Sequence, residues 1–191
     1  MADELLQTFR FRVSLTLSTS GGPDSQPADP ERAQAGQWLA DLGFQECSGL
    51  ELEADIREYL EGGRNDGVVR RVGRVKLQPL VLKRGMVVKR PPADKGGGPA
   101  KARPELWAWI QDTVVGRLPI RRYDGLVAVI GPADPNRRPP VPPPTLASWR
   151  FVRGLPLKVT GPTLNAKTGE VAIEELHIAH EGLHLVTNVD K

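Results

Sequence analysis

His180, Glu181 and His184 are the residues whose types and spacing suggest chemistry. The run His180-Glu181-Gly182-Leu183-His184 matches H-E-x-x-H, in which a helix sets two imidazoles one turn apart on zinc and the glutamate acts as general base. The surrounding sequence argues against that geometry. Residues 171–179 alternate like a strand and run straight into the motif, and Gly182 interrupts it. On a strand the two histidines share a face but stand about 13 Å apart at ~3.3 Å per residue, too far for one zinc. The seven residues after His184 include no His, Cys or Glu for a third ligand, and Asp190 is a poor substitute. A zinc metallopeptidase is thus the remote alternative, and the histidines are expected to pack at the surface and at the end of a sheet. No Ser-His-Asp or Cys-His set is suggested, and the Gly-Gly pairs lack the lysine of a phosphate loop. No catalytic residue, metal or cofactor is expected.

Composition sets the frame that must hold any site. A chain of 191 residues is one domain able to bury a core, here 1–191 with inserts at 18–42, 91–103 and 131–145. Only 39% is hydrophobic, and 20 Gly with 18 Pro make long loops necessary. A net charge of +3 is too mild to imply a nucleic-acid partner. Cys47 is the single cysteine, which leaves no internal disulfide and fits folding in a reducing cytosol. The first residues show no signal-peptide pattern, and the longest apolar run, 126–130, is far short of a membrane span.

The elements follow from periodicity. Phe9, Phe11, Val13, Leu15 and Leu17 alternate with polar residues, as a half-buried strand does. Residues 18–30 are loop, and Pro30-Glu31 opens either a short helix through Trp38 and Leu42 or a stretch without order. Residues 44–60 carry a capping box, Ser48 with Glu51, yet Leu50, Leu52, Ala54 and Ile56 alternate without error, so a strand is expected. Residues 75–83 form another strand, with Pro79 at an edge or bulge. Together 44–83 make a long hairpin with a flexible tip at 62–67.

That hairpin is electrically polarised. Glu46, Glu51, Glu53, Asp55, Glu58 and Glu61 sit on its first half; Arg64, Arg70, Arg71, Arg74, Lys76, Lys83, Arg84, Lys89 and Arg90 crowd the tip and second half. Charge alone favours cross-strand pairing on a solvated face, roughly 0.2–1 kcal/mol per pair, over an acidic patch meeting a basic patch on another copy. The arginines and lysines of 64–90 lack the interleaved aromatics of a single-strand nucleic-acid binder.

Residues 91–103 are a low-complexity loop. Pro104 starts a helix, PELWAWIQDTVVG, with Glu105 at its positive end and Gly116 at its stop; Leu106, Trp109, Ile110 and Thr113 form the stripe that packs on a sheet. Residues 120–130 are a strand. The proline run 136–144 is extended or polyproline II, a stiff loop rather than a ligand for another domain. Residues 146–160 and 170–179 are strands, and the second changes phase: Val171 and Ile173 are odd, Leu176 and Ile178 even. A β-bulge or burial on both faces would account for that.

Five phrases carry a resemblance: GFQECSGLELE at 43–53, EYLEGGRND at 58–66, VKLQPLVLKRG at 75–85, LWAWI at 106–110, and WRFVRGLPLKVTGPTLNAKTGEVAIEELHIAHEGL at 149–183. In this order they resemble the tail tube proteins of contractile-tailed phages and contractile injection systems. The resemblance implies a mainly β fold, an antiparallel β-barrel or sandwich of two sheets with one flanking α-helix. It implies a structural, non-enzymatic subunit: hexameric rings that stack into the inner tube, or a tube-initiating ring at the baseplate. The implied partners are copies of itself, a sheath protein, baseplate or hub and tube-terminating proteins, and cargo or DNA in the lumen, with no membrane anchor. The implied location is the bacterial cytoplasm during assembly, then the tail tube of the virion or injection particle. On this resemblance the polarised hairpin makes the stacking contact, through Glu51, Glu53, Asp55, Arg64, Arg70, Arg71 and Arg74. The three inserts are long for the family and suit a specialised tube layer.

Overall fold

The computed structural model describes residues 6–18, 38–60, 62–63, 66–89, 101–102, 104–132, 142–167 and 169–186, with the backbone alone for 38–42, 89 and 101–102. Every strand pair among them is antiparallel. The main sheet path runs β2 (Trp38–Leu42), β1 (Phe11–Leu17), β9 (Tyr123–Ile130), β10 (Thr145–Thr160), β11 (Ile173–Ala179), β6 (Leu80–Gly85) and β3 (Glu46–Ser48). β12 (Gly182–Val186) also pairs with β10. Two further hairpins stand apart from this path: β4 (Leu52–Tyr59) with β5 (Val69–Leu77), and β7 (Val88–Lys89) with β8 (Lys101–Ala102).

β10 is the spine. Its first half pairs with β9 and β12, its second half with β11, so one sixteen-residue strand belongs to two sheets. The change of sheet is made by a local break: Arg153 takes φ 53°, and the register with β9 slips between Phe151 and Gly154. β11 and β12 break opposite it, at His180 and Glu181. A bulge of this kind bends and twists the strand, which lets one strand turn the corner of a sandwich. Phe151, wholly buried just before the bend, lays its ring over Gly125 of β9, where any Cβ would collide with it.

The core lies between the two sheets. Val13, Leu15, Leu80, Leu82, Phe151, Leu176 and Ile178 are buried there. The helix α1 (Glu105–Val114) inserts Leu106 and Trp109 into the same cluster. Trp109 stacks edge-on against Tyr123 at 4.8 Å and donates its indole N–H to the Arg121 carbonyl at 2.9 Å. The apolar stripe of the sequence is thus the packed face of the helix, and the fold is mainly β with one flanking helix.

Four expectations need correction. Residues 75–83 are not one strand: Gln78 and Pro79 part β5 from β6, which pair with different strands. Trp38–Leu42 form strand β2 rather than the end of a helix: their backbone completes the ladder on β1, whose other side is taken by β9. Residues 44–60 are two strands, β3 and β4, because Gly49 at φ 84° turns the chain between them. The phase change in 170–179 is neither a bulge nor two-sided burial. β11 pairs with β6 without a slip from Ile173 to Ile178, and Val171 precedes the strand, 75% exposed. The inward position that looked polar is Glu174, which the core accepts because Arg84 faces it. Most of the 18–42 and 131–145 inserts and the tip of the 91–103 loop lie outside the described residues.

Candidate functional site: a hairpin arm and the corner that carries it

The histidine motif sits at the strand break, not on a helix. His180 is buried in the gap between β11 and β12, its ring tilted over Phe151 at 6.0 Å, and its Nε2 donates to the Gln78 carbonyl at 3.1 Å. Burial holds the imidazole below its ordinary pKa. Glu181 is occupied as well: Arg122 reaches one oxygen at 2.7 Å and Arg153 the other at 2.6 Å. Asp124 accepts the Arg153 backbone N–H at 2.8 Å. His184 lies exposed on β12, opposite Arg150. His180 and Glu181 therefore lock the corner of β10 while His184 takes no part, and among the described residues no group of three His, Cys, Asp or Glu is placed to hold a metal.

The same corner anchors the arm. Gln78 and Pro79 separate β5 from β6, so the His180 hydrogen bond ties one leg of the β4–β5 hairpin to the core. The other leg passes at Gly49, where a Cβ would overlap the Pro79 carbonyl oxygen and φ is positive; only glycine fits both conditions. Beyond this crossing, β4 and β5 pair with each other over residues 52–77, and among the described residues their main contact is with each other.

The register of the arm sorts its side chains. Leu52 stands opposite Leu77, Ala54 opposite Val75 and Ile56 opposite Val72. Two steps along β4 from Ala54 to Ile56 correspond to three along β5, so Gly73 and Arg74 form a bulge. Without that extra residue Val72 would face the other side; with it, six apolar residues share one face. That face is bare: Ile56 is 66% and Val72 78% exposed. The opposite face carries Glu53, Lys76, Asp55, Arg57 and Arg71.

The charged residues of the arm pair largely within it. Arg70 meets Glu58 at 3.0 Å, Lys76 meets Asp55 at 2.7 Å, and Arg71 lies over the Tyr59 ring at 5.2 Å. The hydrogen bond that Lys76 donates to Asp55 raises the lysine's pKa. Glu51 lies at the root, Glu53 opposite Lys76 and Arg74 in the bulge; Arg64 falls outside the described residues. Lys83 joins Glu46 at 2.8 Å on the body. Arg84, grouped with these charges by sequence, instead turns inward to Glu174 at 2.5 Å, with both residues fully buried. Trp107 donates to the second Glu174 oxygen at 3.2 Å, and the guanidinium lies 5.9 Å from the Phe44 ring. Sequence reasoning missed this trio and the apolar face; the signal for the first was an acidic residue at an inward phase.

Residues 7–184 match the family of the T4-like virus tail tube protein gp19. This chain belongs to that tail tube family. Solved structures with the same fold include the baseplate of the anti-feeding prophage, 6-fold symmetrised, at 18% identity, with 97% of each chain covered and a TM-score of 0.63. The sheath-tube complex of the extracellular contractile injection system PVC aligns at 17% identity over 95% of this chain and 91% of that one, TM-score 0.63. The sheath/tube terminator of the same system aligns at 16% identity over 98% and 100%, TM-score 0.65. No curated protein matches the chain in sequence. The tail tube family is structural, and the arm is a feature to read in terms of assembly; among the described residues no helix is long and apolar enough to cross a membrane.

Proposed function

We propose that this tail tube protein is an inner-tube subunit of a contractile phage tail or injection system. Six copies form a ring, and rings stack into a tube through the arm. The observation that carries this reading is the apolar face of β4–β5, on which Leu52, Ile56, Val72 and Val75 stand exposed among the described residues. A two-stranded hairpin is at best marginally stable alone in water, so an exposed apolar one calls for a partner surface. Contacts between different surfaces of identical copies close a ring when the rotation returns on itself and extend a filament when it does not. The role needs no catalytic group, metal or cofactor. A sheath outside the tube, cargo or DNA within it, and terminal proteins at its ends are the partners this architecture implies. Assembly in the bacterial cytoplasm precedes its place in the particle.

The charges named from sequence keep a secondary part. Glu51, Glu53 and Arg74 border the arm, and Asp55, Arg70 and Arg71 hold its two strands in register. Negative-stain electron microscopy across a concentration series tests the proposal. Wild-type protein is expected to give hexameric rings and stacked tubes, and a Val72→Asp, Val75→Asp variant rings or monomers of unchanged fold. Tubes of normal length from that variant would remove the arm from the stacking contact.

A further inference from the structure

The arm joins the body at two crossings of the chain, one on each leg. On the β3–β4 leg, Gly49 turns at φ 84° against the Pro79 carbonyl. On the β5–β6 leg, the Gln78 carbonyl accepts the His180 Nε2–H at 3.1 Å, which ties that leg to the corner of β10. Hinges are a few loop residues that absorb a change of φ and ψ, and Gly49 with Gln78 and Pro79 forms such a set. The imidazole that holds it is 8% exposed beside the Phe151 ring, and its Nδ1 is buried without a hydrogen-bond partner. The carboxylates of the corner are engaged elsewhere. Glu181 is held by Arg122 and Arg153, and Asp124 by the Ser18 hydroxyl and the Arg153 backbone N–H. His184, the other titratable group at this turn, lies exposed on β12.

We propose that His180 is a proton-operated latch on the arm. Neutral, it holds Gln78 and fixes the angle of the arm to the body. A proton taken from solvent at Nδ1 puts a cation into an apolar gap whose neighbouring carboxylates are already paired, and the ring is relieved by swinging into water. The Gln78 carbonyl is then released, and the arm pivots about Gly49 while the sandwich stays folded. Burial lowers the His180 pKa against the opposing pull of the Gln78 and Gly182 backbones. The ring thus binds a proton more readily in water than in the gap, so mild acid shifts the arm towards the released state. The latch belongs to the free subunit and stands whether or not the arm makes a stacking contact. In a subunit that assembles through the arm, it makes the arm's readiness depend on pH.

Spin-label distances on the dilute full-length chain test this. In a Cys47→Ala background, Arg57→Cys on the arm and Leu157→Cys on the body, both exposed, carry nitroxides. Their separation is measured by pulsed electron resonance at pH 7.5 and 5.5. With His180 in place, one narrow peak is expected at pH 7.5 and its loss to a broad distribution at pH 5.5. His180→Gln, whose amide donates to Gln78 without titrating, is expected to keep the narrow peak at both, and His180→Ala to be broad at both. A narrow peak at pH 5.5 with His180 in place overturns the proton's part, and a narrow peak in His180→Ala overturns the latch. Broadening of His180→Gln at pH 5.5 assigns the change to another group and overturns it too. So does loss of near-ultraviolet circular dichroism at pH 5.5, because the body itself then unfolds.

Discussion

The body and the arm use the same side chains in opposite ways. In the body, Arg84 and Glu174 pair at 0% and 1% exposure, braced by Trp107 and the Phe44 ring. In the arm, Arg70 and Glu58 pair at 68% and 53% exposure. Apolar residues reverse in the same way: Leu80, Leu82 and Ile178 are sealed, whereas Ile56 and Val72 face outward. The sandwich meets its buried Arg84 charge with a buried counter-ion, although the two terminal guanidinium nitrogens and His180 Nδ1 make no hydrogen bond. The arm leaves its best binding surface bare, and that contrast distinguishes what folds the subunit from what joins it to its neighbours.

Breaking the body pair carries the largest expected effect. Glu174→Gln leaves the Arg84 charge buried without a counter-ion and is expected to cost about 3–5 kcal/mol in denaturant unfolding. Replacing both residues, Arg84→Met with Glu174→Leu, is expected to recover most of that loss, because an apolar pair of similar volume carries no desolvation penalty. If Glu174→Gln unfolds at the wild-type midpoint, the core does not depend on the pair.

The corner that joins the two regions is expected to respond to pH. Burial lowers the His180 pKa from its ordinary 6.5. The unfolded chain therefore binds the proton first, so stability is full above about pH 6.5 and falls as pH drops from there towards the depressed folded value. His180→Gln is expected to flatten that slope in urea midpoints measured from pH 7.5 to 5. A variant with the wild-type slope would assign the pH dependence to another group.

The smallest effect belongs to the arm charges. A double-mutant cycle on Glu58 and Arg70 is expected to return ~0.2–1 kcal/mol, the range of exposed pairs. Reversing Arg70 and Arg71 to Glu is expected to shorten tubes while leaving the unfolding midpoint of the body unchanged, since their partners among the described residues, Glu58 and Tyr59, lie on the arm. Tubes of full length would limit their part to strand pairing within the hairpin.

Much of the body was legible in sequence because its signals are local. The Pro104 start, the Leu106–Trp109 stripe and the Gly116 stop define α1, and the alternation around Val13 and Leu15 defines β1. The Leu50–Ile56 alternation favoured strand over helix, and β4 begins within it at Leu52, although Gly49 parts β4 from β3. What escaped depends on partners remote in sequence. β2 is a strand because β1 supplies its ladder, not because of its own pattern. Glu174 is inward because Arg84, ninety residues earlier, is there to meet it. On the arm, sequence drew attention to the charges, which the structure pairs mostly within the hairpin. The one-sided apolar face was hidden because Val72 and Val75 are out of phase until the Gly73–Arg74 bulge realigns them. The H-E-x-x-H match shows the converse case, since its letters are satisfied by a strand break whose acid is held by two arginines.

Hydrogen–deuterium exchange on free subunits and on assembled particles tests the central claim most directly. The amides of β10, β11 and β6 are expected to be protected in both states. Those of β4 and β5 are expected to exchange fast in the free subunit and to become at least tenfold slower on assembly, as the bare face is covered. Arm amides that exchange at the same rate in both states would contradict the account, because the surface left open by the fold would then be left open by the assembly as well.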